Sequence, residues 1–184
     1  TRTQNKAIHK TPMVYVLKSV EEGGTYKGNK EERIQKLTEA AKFYDFVELE
    51  GERDLIPGLL CRIPPEKRRI SWEGSYTNYD DLKKRLDTYR QTEASCYKMV
   101  VNTKNHKDTA AVTYLVKSDT TNMIIAYARG LSSRWSQIIA PFLGAPEVHC
   151  DIEGKTMYNS DHLIDAYGLP YVYPIEKLFG IVGN

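Results

Sequence analysis

The sequence predicts an α/β domain in which helices cover a parallel sheet, arranged either as a doubly wound sheet or as a barrel. Two observations predict this class. Short apolar runs alternate with amphipathic stretches along the chain, and strands that alternate with helices at this spacing pair in parallel through helical crossovers. At 184 residues, with 41% hydrophobic and 27% charged residues, the chain is long enough to bury the core of one globular domain.

The chain opens with a strand–helix–strand unit. Met13–Leu17 is a short apolar run, Glu31–Phe43 has the amphipathic period of a helix, and Phe46–Leu49 is the next strand. The segment Leu55–Leu60 is ambiguous because its Pro-Gly pair interrupts a helix.

The same alternation continues to residue 150 and gives six strands in all. The remaining predicted elements are strand Arg69–Trp72, helix Tyr79–Arg90, strand Ser95–Val101, helix His106–Lys117, strand Met123–Tyr127, helix Arg134–Leu143 and strand Glu147–Cys150. A short helix at Asp161–Tyr167 follows.

Composition argues against several classes of protein. The net charge of +2 comes from interspersed signs, so we expect no direct nucleic-acid contact from this domain. The apolar runs are too short to span a bilayer and no signal-peptide pattern opens the chain, which predicts an intracellular domain without membrane contact. Cys61, Cys96 and Cys150 lack metal-ligand spacing, so we expect reduced thiols and no metal site.

Lys98 interrupts the apolar run Ser95–Val101. Burial disfavours the charged form of a lysine, and a neutral amine can attack a carbonyl carbon, as in Schiff-base enzymes. The alternative is a strand-end lysine that reaches solvent or pairs with a carboxylate. The residue alone leaves both interpretations open.

Three stretches, in order and spacing, carry a resemblance to a known family: Val16–Gly24, the Lys98 strand, and Ser136–Pro146. Together they resemble type I 3-dehydroquinate dehydratases, which are (β/α)8 TIM barrels that dehydrate dehydroquinate through a lysine Schiff base. The resemblance implies that Met13–Leu17 is the third barrel strand, so that about six of the eight strand–helix units are present and the barrel is truncated at its N-terminal side. An open barrel edge exposes unpaired strand groups, and we expect the incomplete barrel either to dimerise through that edge or to rearrange there.

The resemblance places Lys98 at the Schiff-base position. It implies a histidine base at the end of the fifth barrel strand, where this sequence has Glu73. Beside Lys98 a glutamate is expected to form an ion pair and keep the amine protonated. We therefore expect Lys98 to be vestigial and no residue to be catalytically active.

The residues implied to bind the substrate are also changed. An arginine of the family corresponds to Gln137, and another to Lys18, which keeps the charge and loses the guanidinium fork. Arg129 replaces a methionine and Glu22 is retained. These residues, with Lys98, are the expected ligand-binding set for a small carboxylate such as quinate, dehydroquinate or a shikimate-type acid, and no cofactor is implied.

The tail predicts the domain organisation. Residues 1–168 correspond to the partial barrel, and residues 169–184 form a linker and an apolar strand that resembles the start of shikimate dehydrogenase. A dehydratase-like domain with these altered site residues, placed ahead of a dehydrogenase-like domain, resembles the fungal quinate repressors. It implies a non-catalytic regulatory domain in the nucleus and/or cytoplasm that senses a pathway metabolite, binds a transcription activator protein of the quinate pathway, or does both.

Two other functions stay open. One is an active 3-dehydroquinate dehydratase domain of a multifunctional shikimate-pathway enzyme. The other is a purely structural interaction module, in which some of the 13 tyrosines supply the partner surface.

Overall fold

A computed structural model describes residues 12–130, 133 and 135–147. Its strands form one parallel sheet in the order β1-β2-β3-β4-β5, which confirms the predicted α/β class. The strands are β1 (Val14–Tyr15), β2 (Phe46–Glu50), β3 (Arg68–Ser75), β4 (Cys96–Asn102) and β5 (Ile124–Arg129). The helices are α1 (Lys30–Phe43), α2 (Pro57–Leu60), α3 (Tyr79–Tyr89), α4 (His106–Lys117) and α5 (Trp135–Ile139), with 3-10 turns at Pro65–Lys67 and Ala140–Leu143.

Three of the helices begin at an asparagine cap. The side-chain oxygens of Asn29, Asn78 and Asn105 accept from backbone N–H groups of the first turns of α1, α3 and α4. Such caps satisfy donors that have no partner within the helix. The predicted starts of these helices agree with the observed ones to within one residue.

The first compact unit ends at Val100. Within it, the side chains of β2 point alternately to the face of the sheet that helices cover and to the opposite face. Val47 and Leu49 are fully buried and belong to an apolar cluster with α1 and α2. Successive side chains of a strand point to opposite faces, so Phe46, Glu48 and Glu50 lie on the other face. The two glutamates are nevertheless buried. The cluster comprises Leu37, Ala40, Ala41, Val47, Leu49, Leu59 and Ile63.

Some elements differ from those predicted. The ambiguous segment contains one helical turn, α2, because Pro57 lies at its start, where a missing N–H is tolerated. Strand β3 extends to Ser75. The helix predicted up to Leu143 becomes α5 followed by a 3-10 turn, because Pro141 cannot donate the next helical hydrogen bond.

The second unit starts at Val101, and within it α4 packs on β5. Three buried hydroxyl groups meet there. The Oγ atoms lie 3.0 Å apart for Thr103 and Thr109, 2.7 Å for Thr103 and Ser133, and 2.9 Å for Thr109 and Ser133. Thr109 also donates to the Asn105 carbonyl at 3.0 Å, and Thr103 lies 3.4 Å from the Arg129 carbonyl.

Cys96 is buried and Cys61 is exposed. The predicted strand up to Cys150, the helix at Asp161–Tyr167 and the tail at 169–184 lie outside the described residues, apart from Glu147.

Within the described part of the chain, no helix combines the length and the apolar character that crossing a membrane requires.

Candidate functional site

The Lys98 ammonium contacts a carboxylate of β2. Its Nζ donates to Oε1 and Oε2 of Glu48 at 3.0 and 2.8 Å. The two side chains are 12% and 8% exposed, so the pair is largely removed from water. Of the two interpretations of Lys98, the structure supports a lysine paired with a carboxylate.

Lys18 forms an ion pair with Glu73 of β3. Lys18 also begins a tight loop. In this loop the Gly24 N–H donates to the Ser19 carbonyl at 2.7 Å, and the Tyr26 N–H donates to the Lys18 carbonyl at 3.0 Å. A Cβ on Gly24 would overlap the Lys18 backbone, and Gly23 has a φ of 83°. Both glycines are therefore required for the conformation of this loop.

Arg33 of α1 ties together the segments that carry these residues. Its Nε and Nη2 donate to the Asp54 carboxylate, both at 2.7 Å, and its Nη1 donates to the Leu17 carbonyl at 2.6 Å. Glu50 lies 3.3 Å from Nη2 and accepts from the Ser19 N–H at 2.6 Å. Burial lowers the pKa of Arg33, but Asp54 and Glu50 outweigh it and raise the pKa above its ordinary value.

Glu22 is buried at the same loop, with 9% of its surface exposed. Burial raises its pKa to about 8, and the neighbouring carboxylates Glu50, Glu48 and Asp54 act in the same direction against the opposing charge of Lys18. A carboxyl group in this position carries its proton near neutral pH.

Arg129 and Gln137 belong to the second unit. Arg129 is the last residue of β5 and is half-buried, whereas Gln137 of α5 is 1% exposed. Ser136 fixes α5 to β5 because its hydroxyl accepts from the Ala128 N–H at 3.0 Å.

The structure thus brings Lys18, Glu22, Glu73 and Lys98 into one unit, as buried or half-buried groups. Glu73 contacts Lys18, and the expected pairing of Glu73 with Lys98 stays a prediction. Glu48 was not among the site residues predicted from the sequence, where its alternation with Val47 and Leu49 indicates a face that contacts water. The network formed by Arg33, Glu50 and Asp54 was not predicted either.

Both lysines of this set form an ion pair with a carboxylate, and such a partner favours the protonated form of an amine. No group of three or more metal-ligating side chains occurs among residues 12–130, 133 and 135–147. A cleft of about 600 Å³ is lined by other residues, which include Glu52, Trp72, Arg85 and Tyr89.

A family model described as type I 3-dehydroquinase matches residues 2–174. A curated 3-dehydroquinate dehydratase from Dehalococcoides mccartyi is 26% identical over 145 residues, which cover 77% of this chain and 65% of that protein. The corresponding protein of another strain is 23% identical over 156 residues, which cover 83% of this chain and 70% of that relative. The chain therefore spans about two thirds of the length of these curated relatives.

Solved structures with this fold include the 3-dehydroquinate dehydratase of Geobacillus kaustophilus. It has a TM-score of 0.73 at 16% identity and covers 92% of this chain and 67% of that chain. The dehydroquinate dehydratase and shikimate dehydrogenase from S. pombe AroM gives a TM-score of 0.65 at 17% identity, over 95% of this chain and 34% of that chain. These neighbours confirm the expected TIM-barrel type of fold.

Proposed function

Because this chain belongs to the type I 3-dehydroquinase family, we propose that it is a non-catalytic, dehydroquinate dehydratase-like regulatory domain of a repressor that controls quinate use. In this proposal the domain binds a small pathway carboxylate, contacts the transcription activator protein, or does both. It acts in the nucleus and/or cytoplasm and makes no direct nucleic-acid contact. Dimerisation through the open barrel edge is part of the same proposal.

The observation that carries the proposal is the pairing of Lys98 with Glu48. Imine formation requires a neutral amine. Two contacts of 2.8 and 3.0 Å with a buried carboxylate favour the ammonium form, which has no lone pair for attack. The lysine is thus held in its unreactive state.

The second support is the position of Glu73. A glutamate replaces the imidazole that the family resemblance implies, and its carboxylate pairs with Lys18. In this ion pair the Glu73 carboxylate is less available as a base, and the Lys18 ammonium is less available to a substrate carboxylate. Positioned acid–base and electrostatic groups supply much of an enzyme's barrier lowering, so these changes support a loss of catalysis.

Gln137 adds to this argument. An amide cannot reproduce the bidentate, charged contact that a guanidinium makes with a carboxylate, and the Gln137 side chain is buried within its own unit. The ligand affinity expected of this domain is therefore weak.

The competing function is an active 3-dehydroquinate dehydratase domain of a multifunctional enzyme, with Lys98 as the Schiff-base residue and Glu73 as base. Its support is the name of that enzyme, which the relatives from Dehalococcoides mccartyi carry. This alternative requires that substrate binding separates Lys98 from Glu48.

Reductive trapping distinguishes the two functions. The protein is incubated with 3-dehydroquinate and borohydride and its intact mass is measured, with a Lys98→Met variant as control and an active relative treated in parallel. We expect no adduct on the protein and no dehydroshikimate in unreduced samples. An adduct that maps to Lys98, together with product, would establish the enzyme instead. Calorimetric titration with quinate then separates a metabolite sensor from a domain that only binds a protein partner.

A further inference from the structure

The cleft of about 600 Å³ in the first unit lies apart from the paired lysines. Leu49 of β2 lies beside Ile70 of β3 in the parallel register, and both are fully buried on the helix-covered face. Trp72, which lines the cleft, follows Ile70 by two residues and therefore shares that face. Glu73 points to the opposite face, where it contacts Lys18. The cleft and the candidate site thus occupy opposite sides of the sheet.

Aromatic side chains and an ordered arginine form the walls of this cleft. The guanidinium carbon of Arg85 lies 4.6 Å from the centroid of the Trp72 ring, and its Nη1 lies 3.4 Å from the Tyr89 hydroxyl. That hydroxyl donates to Glu52 at 2.7 Å. Tryptophan, tyrosine and arginine are the residue types that contribute most of the binding energy at protein interfaces. We call this site the aromatic cleft; its lining includes Leu55, Trp72, Tyr76, Arg85 and Tyr89.

The charged groups that remain open at the aromatic cleft are donors. Glu52 pairs with Arg85. The Asp81 carboxylate accepts from two side chains at the start of α3, at 3.0 and 2.7 Å, where the helix dipole favours a negative charge. Lys84 lines the same cleft and forms no ion pair within the part of the chain that the structure describes. Among the same residues the hydrogen bonds of Arg85 involve only its Nη1, so its Nε and Nη2 are left to donate.

We propose that the aromatic cleft binds an acidic segment of a protein partner, one that also carries aromatic or other large apolar side chains. The apolar side chains pack against Leu55 and Trp72, and the carboxylates accept charge-assisted hydrogen bonds from Lys84 and Arg85. Segments in which acidic and apolar residues alternate are typical of disordered activation regions. The inference therefore rests on the part of the proposed function in which the domain contacts a transcription activator, and it names the surface for that contact.

Fluorescence anisotropy tests the proposal with a short labelled peptide in which Asp and Glu alternate with Phe and Leu. Lys84→Glu should weaken binding about tenfold, because it places a charge of the peptide's own sign at the cleft. Lys83→Glu is the matched control. It changes the net charge equally, but Lys83 is 54% exposed, pairs with Asp87 and lies outside the lining, so the affinity should change about twofold or less. Thr88→Trp fills the cleft from an exposed position of its lining and should abolish binding.

Trp72 provides a second measurement that needs no substitution at the cleft. The chain has two tryptophans, so in Trp135→Phe the emission comes from Trp72 alone. It should change when the acidic peptide is added and stay constant with a peptide that has Lys in place of the acids.

The outcomes separate this inference from the proposed function. Equal losses in Lys84→Glu and Lys83→Glu, binding that persists in Thr88→Trp, or equal binding of the lysine-containing peptide overturns the proposal. Failure of the folded wild-type protein to bind the acidic peptide overturns it too. The proposed function is decided independently, because borohydride trapping and quinate titration report on the opposite side of the sheet.

Discussion

Lys98 of β4 donates to both carboxylate oxygens of Glu48 of β2, a residue 50 positions away in the sequence, at 3.0 and 2.8 Å. The two strands are not neighbours, because β3 lies between them. In a barrel, inward-pointing side chains of alternate strands meet in one layer, and long charged side chains can bridge that layer. The pair thus joins two strands that share no backbone hydrogen bonds.

Glu48→Gln should destabilise the fold strongly. The substitution leaves the Lys98 ammonium buried without its anionic partner, and breaking one side of a buried pair typically costs about 3–5 kcal/mol. Chemical denaturation measures the free energy of unfolding. Glu39→Gln is the matched control, because it breaks an exposed pair with Lys42 that contributes about 0.5 kcal/mol or less. Equal losses in the two variants would mean that Glu48 and Lys98 do not act as a buried pair.

Arg33→Lys should also destabilise the protein although it keeps the charge. A lysine cannot reproduce the two contacts with Asp54 and the third with the Leu17 carbonyl. We expect a loss of about 2–4 kcal/mol in thermal or chemical unfolding. Arg53→Lys is the control, because the Arg53 side chain is 34% exposed and should change stability little. If Arg33→Lys lowers the free energy of unfolding by less than about 1 kcal/mol, the three hydrogen bonds of Arg33 do not contribute to stability as proposed.

Glu22 should make stability fall as pH rises. The pKa of Glu22 in the folded protein is about 8 against an ordinary value of 4.5. Between these values only the folded state retains the proton, so the free energy of unfolding decreases with pH across that window. Glu22→Gln removes this dependence and should be more stable than the wild type at pH 9 by about 1–3 kcal/mol. Denaturation curves of both proteins at pH 5, 7 and 9 measure this dependence. If the free energy of unfolding changes with pH in the same way in the two proteins, the prediction is wrong.

Two glycine substitutions should have opposite effects. A Cβ on Gly51 would overlap the ring of Tyr89, which is 3% exposed and donates to Glu52 at 2.7 Å. Because the buried ring has to shift to make room for the Cβ, Gly51→Ala should cost about 1–3 kcal/mol. Gly58 lies in α2 with open space around it, so Gly58→Ala should be neutral or stabilise by about 0.5–1 kcal/mol. The melting temperatures of both variants test this difference. Similar values would show that the Tyr89 ring can move aside at little cost.

Much of the fold could be predicted because its signals are local. The apolar runs and the amphipathic period locate β2, β4, α1, α3 and α4, and an asparagine marks the start of each of these helices. The end of the last predicted helix was wrong because Pro141 lacks the N–H that the next helical hydrogen bond requires, so the α-helix ends at Ile139 and a 3-10 turn follows.

The site was less predictable because its pairs are not local. Lys98 could be singled out as a charge in an apolar strand, but its partner depends on which strands face one another. The alternation of Val47, Glu48, Leu49 and Glu50 places both carboxylates on one face of the strand, but such alternation ordinarily indicates a face that contacts water, so it did not predict their burial. The burial of Arg33 was not predicted either, since an arginine on an amphipathic helix ordinarily faces water.

The cluster of Thr103, Thr109 and Ser133 has a consequence for proton order. Its three hydroxyl groups carry three hydrogens, whereas the short contacts among them and to the two carbonyls number five. Not all of these contacts can be hydrogen bonds at once, so several arrangements of the hydrogens compete over one fixed set of oxygens. The cluster can therefore keep residual orientational entropy while its heavy atoms stay packed, which lowers the entropic penalty of burying three polar groups.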